Sequence, residues 1–599
     1  MEIRTLCDLF YHSVDTFKKA DHLRFKRGGA WHDVSSEEFR LAAEELSMGL
    51  RALGLERGDR VAILSENRPE WAYADIATLL AAAVDSPIYS TLTPPQVLYI
   101  LKDAEAKVVF VSGAVQAKKV AEVRSEAPYL RHVIRMDPDP VEGTLSLEEV
   151  RALGRPALEK DKDAVRKRAA EVKAEDLATL IYTSGTTGDP KGVMLTHSNL
   201  VSNVLSSLKT FAGISETDVA LSFLPLCHVF ERMGGYYVML RKGVTIAYAE
   251  GVDKVPENML EVRPTLMLSV PRLYEKMYQR VNEKVAADPP ARQKFFRWAL
   301  GVGRELFHHT VARTRPGLLL RLKGAVADRL VFSKIKARTG GRLRLFVSGG
   351  APLSREIAEF FGATGLLILE GYGLTETSPV ICVNTPEKMK PGSVGPAIDG
   401  VEIRIAEDGE ILTRGPHVMK GYYKRPEATA EVLDKDGWFH TGDIGVLDPE
   451  GFLVITDRKK DILVTSGGKN IAPQPIENRL KANRFFTEVV MVGNKRNFAA
   501  ALVVPNFETL EKWAKDKGIS FASREDLTGR SEVQLHYREL IASLTTDLAQ
   551  FEKIKRIVLL PREFSLEAGE LTPTLKVKRR IVESKYKDLI DRMYEGSAA

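Results

Sequence analysis

The chain has 599 residues, a formal charge of +6, 44% hydrophobic residues and 28% charged residues. That length allows several domains and a large core, and the composition is that of a soluble globular protein. The small net charge argues against a nucleic-acid binder, and three cysteines set far apart (Cys7, Cys227 and Cys382) make neither a disulfide framework nor a metal-ligand cluster, which fits a reducing cytoplasm.

The first residues, "MEIRTLCDLFYHSVD", lack the basic-then-apolar pattern of a secretory signal. No apolar run approaches the roughly 18 residues needed to span a bilayer; the longest, "IATLLAAAV" from Ile76, reads as a buried helix. Just before it, "RVAIL" from Arg60 predicts a strand, then a turn and a helix opening near Pro69. Buried strands alternating with helices predict an α/β fold.

"LATLIYTSG" repeats the pattern, a buried strand from Leu177 that delivers a hydroxyl-rich loop at its carboxyl end. Ligands of open α/β sheets collect there. The loop, "YTSGTTGDPKGV", sets Thr183, Ser184, Thr186 and Thr187 around Gly185 and Gly188 and ends on Lys191 and Gly192. Glycines let backbone N–H groups approach an anion, short hydroxyls donate to its oxygens, and lysine adds a point charge. Phosphate is the ligand this chemistry suits, although ordinary polar turns share the composition. The stretch is not the G-x-x-x-x-G-K-[ST] loop of P-loop NTPases, because Gly185 and Lys191 are too far apart and Gly192 stands where Ser or Thr is needed.

Further along, "FLPLCHVFER" holds His228 and Phe230 in an apolar setting, where a lone histidine is more often a core residue than a catalyst. Residues about 275–342 are rich in helix formers, arginine and lysine and predict a helical insertion. A solvated face is the simplest reading of its charges; a basic face toward a membrane or an anionic cofactor is the alternative. "LRLFVSGGAPLS" is a third strand ending in a Gly-Gly turn. "EGYGLTET" places Tyr372 between glycines, suited to a flat ring, and follows with Glu376, a carboxylate of the kind that holds Mg²⁺ beside phosphates. A turn with a surface glutamate explains that stretch as well. "HTGDIG" carries Asp443, which fits two ribose hydroxyls or an Asx-turn. From about Pro396 short alternating runs and a D-G turn predict hairpins, and a new α/β pattern begins after the charged stretch "DRKKD".

Taken singly, none of these decides a function. In order, "YTSGTTGDPKG", "LPLCHVFER", "VSGGAP", "EGYGLTET", "TGD", "DRKKDILVTSGGKNIAP" and "LTPTLKVKR" resemble the motifs of the adenylate-forming (acyl-activating, AMP-binding) enzymes over nearly the whole chain. "FLPLCHVFER", "SVPRLYEK" with the insertion after it, and "GGKNIAPQPIE" look like the long-chain fatty acyl-CoA synthetase branch.

The resemblance implies two α/β subdomains and a small β-barrel, hinged to a smaller α/β C-terminal domain. On this chain the N-terminal part would be 1–459, with the barrel about 396–456, and the mobile part 460–599. It implies an AMP-forming ligase that joins a fatty acid to ATP, with Mg²⁺, and then to coenzyme A. By motif, Thr183, Ser184, Gly185, Thr186, Thr187, Gly188 and Lys191 would grip the phosphates, and Thr183 and Glu376 would hold Mg²⁺. Gly350, Ala351, Pro352, Glu370, Gly371, Tyr372, Gly373 and Thr375 would frame the nucleotide. Asp443 would bind the ribose, with Arg458 near the α-phosphate and Lys576 as the adenylation lysine. His228 and Phe230 would meet the acyl group, Phe230 near where some relatives have a gating tryptophan. Gly467 and Gly468 would serve coenzyme A after rotation about Lys460, a position where many relatives have aspartate. Two other readings share these motifs: a fatty acyl-AMP ligase that loads a carrier protein, and an inactive lipid-binding relative. Cytoplasmic placement, with peripheral contact at the inner membrane face, completes the expectation.

Overall fold

The computed structural model describes residues 2–183, 189–565, 567–572 and 576–595. Two eight-stranded sheets dominate it. In the first, the strands Leu177–Thr183, Val84–Ile88, Arg60–Leu64, Ala106–Val111, His132–Arg135 and Leu145–Ser146 lie side by side in parallel. Parallel strands need crossover connections, usually helices, and these cover both faces. "RVAIL" follows that rule. Val61 and Ile63 enter one core, Ala62 and Leu64 the other, and all four are fully buried. The next helix, Pro69–Leu80, begins with proline where a missing N–H leaves no bond unmade. The strands Lys191–Thr196 and Gly421–Tyr422 close one edge in antiparallel register.

The second sheet orders Val380–Val383, Leu367–Gly373, Leu345–Ser348, Leu266–Ser269, Val219–Ser222, Thr245–Tyr248, Leu23–Arg27 and Ala30–Val34. It is parallel except at its two edges. The loops carrying His228 and Gly350, and the strand end carrying Tyr372, therefore lie at one common end of it.

Arg232 joins the two sheets. It is wholly buried on the π-helical turn Glu231–Tyr237, just after His228. It pairs with Asp75 at 2.5 Å, on the helix Pro69–Leu80, and with Asp85 on Val84–Ile88. Its Nη1 donates to Thr179 Oγ1 at 2.8 Å, and that hydroxyl donates to Asp85 at 2.6 Å. Tyr237 accepts from Arg232 Nε and donates to Asp75.

The region expected as a β-barrel is a four-stranded antiparallel sheet of Glu402–Ile405, Glu410–Arg414, Phe439–Leu447 and Leu453–Arg458. Through segment 394–398 it continues toward the second sheet: Val394 N–H donates to Leu453 O, and Ile398 N–H to Ile381 O. The insertion region holds the helices Pro271–Ala287, Pro290–Val311 and Leu318–Ala327, a π-helical turn Asp328–Phe332, and Ser333–Ala337. Small residues bring it close to the helix Arg355–Ala363: Gly303 lies against the Ala363 carbonyl, and Gly362 against the Phe307 ring.

Toward the C-terminus, Phe486–Val492, Ala500–Pro505 and Arg556–Leu559 form a three-stranded sheet. Its side chains alternate, Val489 and Met491 into one core, Val490 and Val492 into the other. The cysteines Cys7, Cys227 and Cys382 are buried and free.

Replacing Arg232 by alanine leaves two buried carboxylates without their cation. We expect a loss of about 3–5 kcal/mol, read as a lower urea midpoint of unfolding. A change below about 1 kcal/mol would show that the ion cluster does not hold the sheets together.

Candidate active site

The loops of the second sheet, the four-stranded sheet and the C-terminal part enclose a cavity of about 1830 Å³. His228, Phe230, Gly350, Ala351, Pro352, Glu370, Gly371, Tyr372, Gly373, Asp443, Arg458 and Lys576 all line it. Six separate stretches of sequence thus converge on one space.

Cross-strand pairing builds its charged end. Asp443 stands directly opposite Arg458 in the antiparallel register, and positions so paired put their side chains within reach. Arg458 Nε lies 3.5 Å from Asp443 Oδ1, and Tyr372 donates its hydroxyl to Oδ2 at 2.6 Å. Burial pushes the Asp443 carboxyl up, while Arg458 and the Tyr372 hydroxyl pull it back. An ionised carboxylate has about four acceptor sites, so Asp443 retains capacity for hydroxyls of a ligand.

Lys576 approaches from the C-terminal part. Its backbone is fixed by Thr572, whose N–H donates to Lys576 O at 2.8 Å and whose hydroxyl accepts from Lys576 N–H at 3.0 Å. Burial and then repulsion from Arg458 lower the Lys576 ammonium to about 8, with Asp443 opposing. His228 lies half-buried nearby. Burial, and then the Lys576 charge, hold its imidazolium down at about 4, so the ring is neutral at pH 7. Its Nδ1 accepts from Phe230 N–H at 3.3 Å, which assigns the ring proton to Nε2 as a donor.

Phe230 rests on the glycine turn. A Cβ placed on Gly349 would lie 2.9 Å from the ring's Cζ, so only glycine lets the ring sit there. Gly350 takes φ +79, a conformation that side chains rarely adopt. Glu370 is buried, and that burial raises it to about 8 against two backbone N–H groups, from Gly392 and Leu353.

A second group lies on the first sheet's edge. Thr183 pairs in register with Lys191, and Lys191 Nζ stands 4.9 Å over the Tyr422 ring. The Tyr422 hydroxyl donates to Glu376 Oε1 at 2.8 Å, and Glu376 O accepts from Met419 N–H. Burial raises Glu376; its backbone hydrogen bond, the Tyr422 hydroxyl and Arg458 oppose. Thr375 shares the short turn Thr375–Thr377 with Glu376. Among the described residues no three His, Cys, Asp or Glu side chains gather as a metal cluster. One carboxylate with a hydroxyl suits Mg²⁺, which keeps waters and takes phosphate oxygens for most of its shell. Ser184, Gly185, Thr186, Thr187 and Gly188 lie outside the described residues.

The chain matches the AMP-binding enzyme family over residues 10–423, and the AMP-binding enzyme C-terminal domain over residues 460–598. It belongs to the AMP-binding enzyme family. It is 37% identical over 590 residues to the long-chain-fatty-acid–CoA ligase FadD15 of Mycobacterium bovis, covering 98% of this chain and 96% of that protein. It is 34% identical over 640 residues to the peroxisomal long chain acyl-CoA synthetase 7 of Arabidopsis thaliana, covering 100% of this chain and 87% of that protein. In fold it is similar to the anthranilate CoA ligase AuaEII solved with anthranoyl-AMP, with a TM-score of 0.74 at 19% identity and 98% of each chain covered.

Three expected groups of this AMP-binding enzyme stand apart from the cavity wall, the first being Thr183, Lys191, Thr375 and Glu376. Lys460 is exposed in a turn closed by Asp461 N–H to Arg458 O. Gly467 and Gly468 are exposed at the tip between the short strands Leu463–Val464 and Asn470–Ile471, with Gly468 at φ +73. Tyr422, the partner of Glu376, and Arg232, which anchors the His228 turn, were not read from the sequence. No motif marks Tyr422 in "KGYYKRP". Asp85, inside the apolar run before "SPIYS", was a signal, since a charge in a buried strand demands a partner.

An ammonium at about 8 is deprotonated far below the ordinary lysine value of roughly 10.4. Competitive acylation followed against pH should find Lys576 titrating near 8. In Asp443→Asn it should titrate lower still, because the carboxylate that favours the charged form is gone. An ordinary titration of Lys576 in the native enzyme would disprove the charge geometry.

Proposed function

We propose that the enzyme is an AMP-forming long-chain fatty acid:CoA ligase, which converts a fatty acid with ATP to an acyl-adenylate and then passes the acyl group to coenzyme A. One observation carries this reading: a single cavity is lined both by Asp443, Arg458 and Lys576 and by apolar side chains, Val270, Met277, Val281, Phe296, Val331 and Ile335 among them, with Lys276, Arg280 and Lys334 interleaved. Apolar burial is worth about 0.8 kcal/mol per CH₂, so a long chain laid against those apolar side chains binds far better than a short one. Sequence similarity to long-chain acyl-CoA synthetases over nearly the full chain supports the same substrate class.

In the first step the acid's carboxylate attacks the α-phosphorus of ATP, and pyrophosphate leaves. The protein's work there is positioning and charge stabilisation rather than covalent chemistry. Asp443 takes the ribose hydroxyls and Tyr372 holds that carboxylate in place. The Lys576 ammonium and the Arg458 guanidinium meet the growing charge of the α-phosphate, and Lys576 also draws the acid's carboxylate in. The His228 Nε2–H is a neutral donor to the acyl oxygen. The hydroxyl-rich loop and Lys191 grip the departing phosphates. Thr183 and Glu376 would hold Mg²⁺, which would neutralise phosphate charge when bound. The division falls at Lys460, with 1–459 ahead of it and 460–599 as the mobile part. Rotation about Lys460 withdraws Lys576 and brings Gly467 and Gly468 to the site for the thiol of coenzyme A, a hinge transition.

Mass spectrometry of products from Mg·ATP, mixed fatty acids and coenzyme A tests the reading. We expect AMP and acyl-CoA from long chains; acyl-adenylate that stays unconverted with coenzyme A present would refute the transfer step. Lys576→Ala should lose adenylate formation by about 10²-fold or more, the scale of one electrostatic donor, yet still convert preformed acyl-adenylate to thioester. Equal loss of both half-reactions would end the rotation model. Glu376→Ala should need more Mg²⁺ for the first step; an unchanged Mg²⁺ titration would remove it from the metal site.

A further inference from the structure

Lys576 is held on two short arms of chain, 570–572 and 576–578, that run against each other. Lys578 N–H donates to Glu570 O at 2.8 Å, Leu571 pairs with Val577 in antiparallel register, and Thr572 N–H donates to Lys576 O at 2.8 Å. Leu571, Lys576 and Val577 line the cavity, while Glu570, at the base of the arms, does not. Leu571 and Val577 also pack against the core that contains Phe564 and Val582. A swing of the arms about their base would carry the ammonium with it.

The Glu570 side chain fixes that base, and it is wholly buried. Arg562 grips its carboxylate as a fork, Nη2 donating to Oε1 at 2.6 Å and Nη1 to Oε2 at 3.0 Å. Ser565 N–H donates to Oε2 at 3.1 Å, the Tyr586 hydroxyl donates to Oε1 at 3.1 Å, and Lys585 Nζ stands 3.1 Å from Oε1. These donors fill the roughly four acceptor sites of a carboxylate, so Glu570, unlike Asp443, keeps no capacity for a ligand. Burial alone would push its carboxyl up; Arg562, Lys585, Ser565 and Tyr586 together hold it down at about 2, and it is ionised at neutral pH. The donors flank Lys576 in sequence. Arg562 and Ser565 precede it, and Lys585 and Tyr586 follow it, at the end of the helix Arg579–Lys585. One buried charge thus ties the chain that enters the arms to the chain that leaves them.

A buried ion cluster is a costly way to close a turn, since a well-packed apolar side chain needs no such desolvation. What a forked, saturated carboxylate adds is a fixed orientation. Placement matters at a reacting centre, where a shift of about 1 Å costs about 10²-fold. We propose that Glu570 is a positioning residue for Lys576: its carboxylate locks the base of the two arms and so sets where the ammonium stands beside Arg458 and Asp443. The inference rests on the reading of Lys576 as the adenylation lysine for its effect on catalysis, but the placement can be measured without it.

The test takes two variants of the full chain and reads Lys576 titration by competitive acylation beside each half-reaction. Glu570→Gln removes the charge and replaces an acceptor oxygen by an amide donor. Arg562→Lys leaves the carboxylate buried and paired but loses the fork. In Glu570→Gln we expect Lys576 to titrate above about 8, toward the ordinary value of roughly 10.4, because the ammonium leaves its enclosure and the side of Arg458. Adenylate formation should fall about tenfold or more in kcat with the KM for ATP within about twofold, the mark of lost positioning rather than lost binding. Transfer from preformed acyl-adenylate to coenzyme A should be unchanged. Arg562→Lys should move both readouts the same way by less, and it carries the test if circular dichroism shows Glu570→Gln unfolded. Lys576 still titrating near 8 in a folded Glu570→Gln, or in Arg562→Lys where that variant stands in, would overturn the proposal. So would an equal fall of both half-reactions, which marks a general loss of the C-terminal part. A shifted Lys576 in a protein whose native form makes no adenylate from any acid would support the placement and refute the ligase reading alone.

Discussion

The buried ion cluster at Arg232 is the constraint on which the site depends. Two carboxylates and a guanidinium taken out of water are tolerable only if each finds its partners. Here those partners sit on different bodies: Asp85 and Thr179 on neighbouring strands of the first sheet, Asp75 on its helix, and Arg232 on the turn that follows His228. Thr179 belongs to the strand that ends at Thr183, and Arg232 comes four residues after His228. One network therefore fixes both the strand that ends at Thr183 and the turn that follows His228. The turn is π-helical, a departure from the regular helix that is frequent at functional sites.

The electrostatics around Lys576 have a separate origin. Arg458, Lys576 and Asp443 share a small space in which positive groups outnumber negative ones. Enclosure weakens the lysine's hold on its proton, and the guanidinium beside it adds to the effect. An anionic ligand beside the lysine would oppose both effects by direct attraction, so the proton would be held more firmly with one bound. The imidazole of His228, kept neutral by enclosure and by the same lysine, adds a donor without adding a third positive charge.

Much of this was legible in the sequence, for physical reasons that differ by element. The strands around "RVAIL" and "LATLIYTSG" read cleanly because parallel strands are apolar on both faces. The residues at the strand ends read as a set only through the order of their motifs, which resembles that of the family: glycines at Gly350 and Gly371, a ring at Tyr372, carboxylates at Glu376 and Asp443. Contacts between distant segments did not read. Tyr422 reaches Glu376 because a two-residue strand pairs with Lys191–Thr196, and nothing near position 422 announces that pairing.

The way the C-terminal part holds Lys576 fits the proposed rotation. Among the described residues, contacts that join it to the rest include polar ones. Gln474 N–H donates to the buried Asp457 at 3.1 Å, and Arg272 reaches the Thr487 carbonyl at 3.4 Å. Within the C-terminal part, by contrast, Arg579 is tied to Glu477 at 2.7 Å and to the Met491 carbonyl. Arg579 lies three residues from Lys576, so the lysine is rigid with respect to its own sheet and loosely bound to the site it serves. Polar interfaces exchange protein partners for water with little net change, whereas an apolar seam would have to be exposed each cycle. The proposed rotation, which would use the lysine in one step and withdraw it for the next, would be served by stiffness within the C-terminal part and replaceable hydrogen bonds at its border.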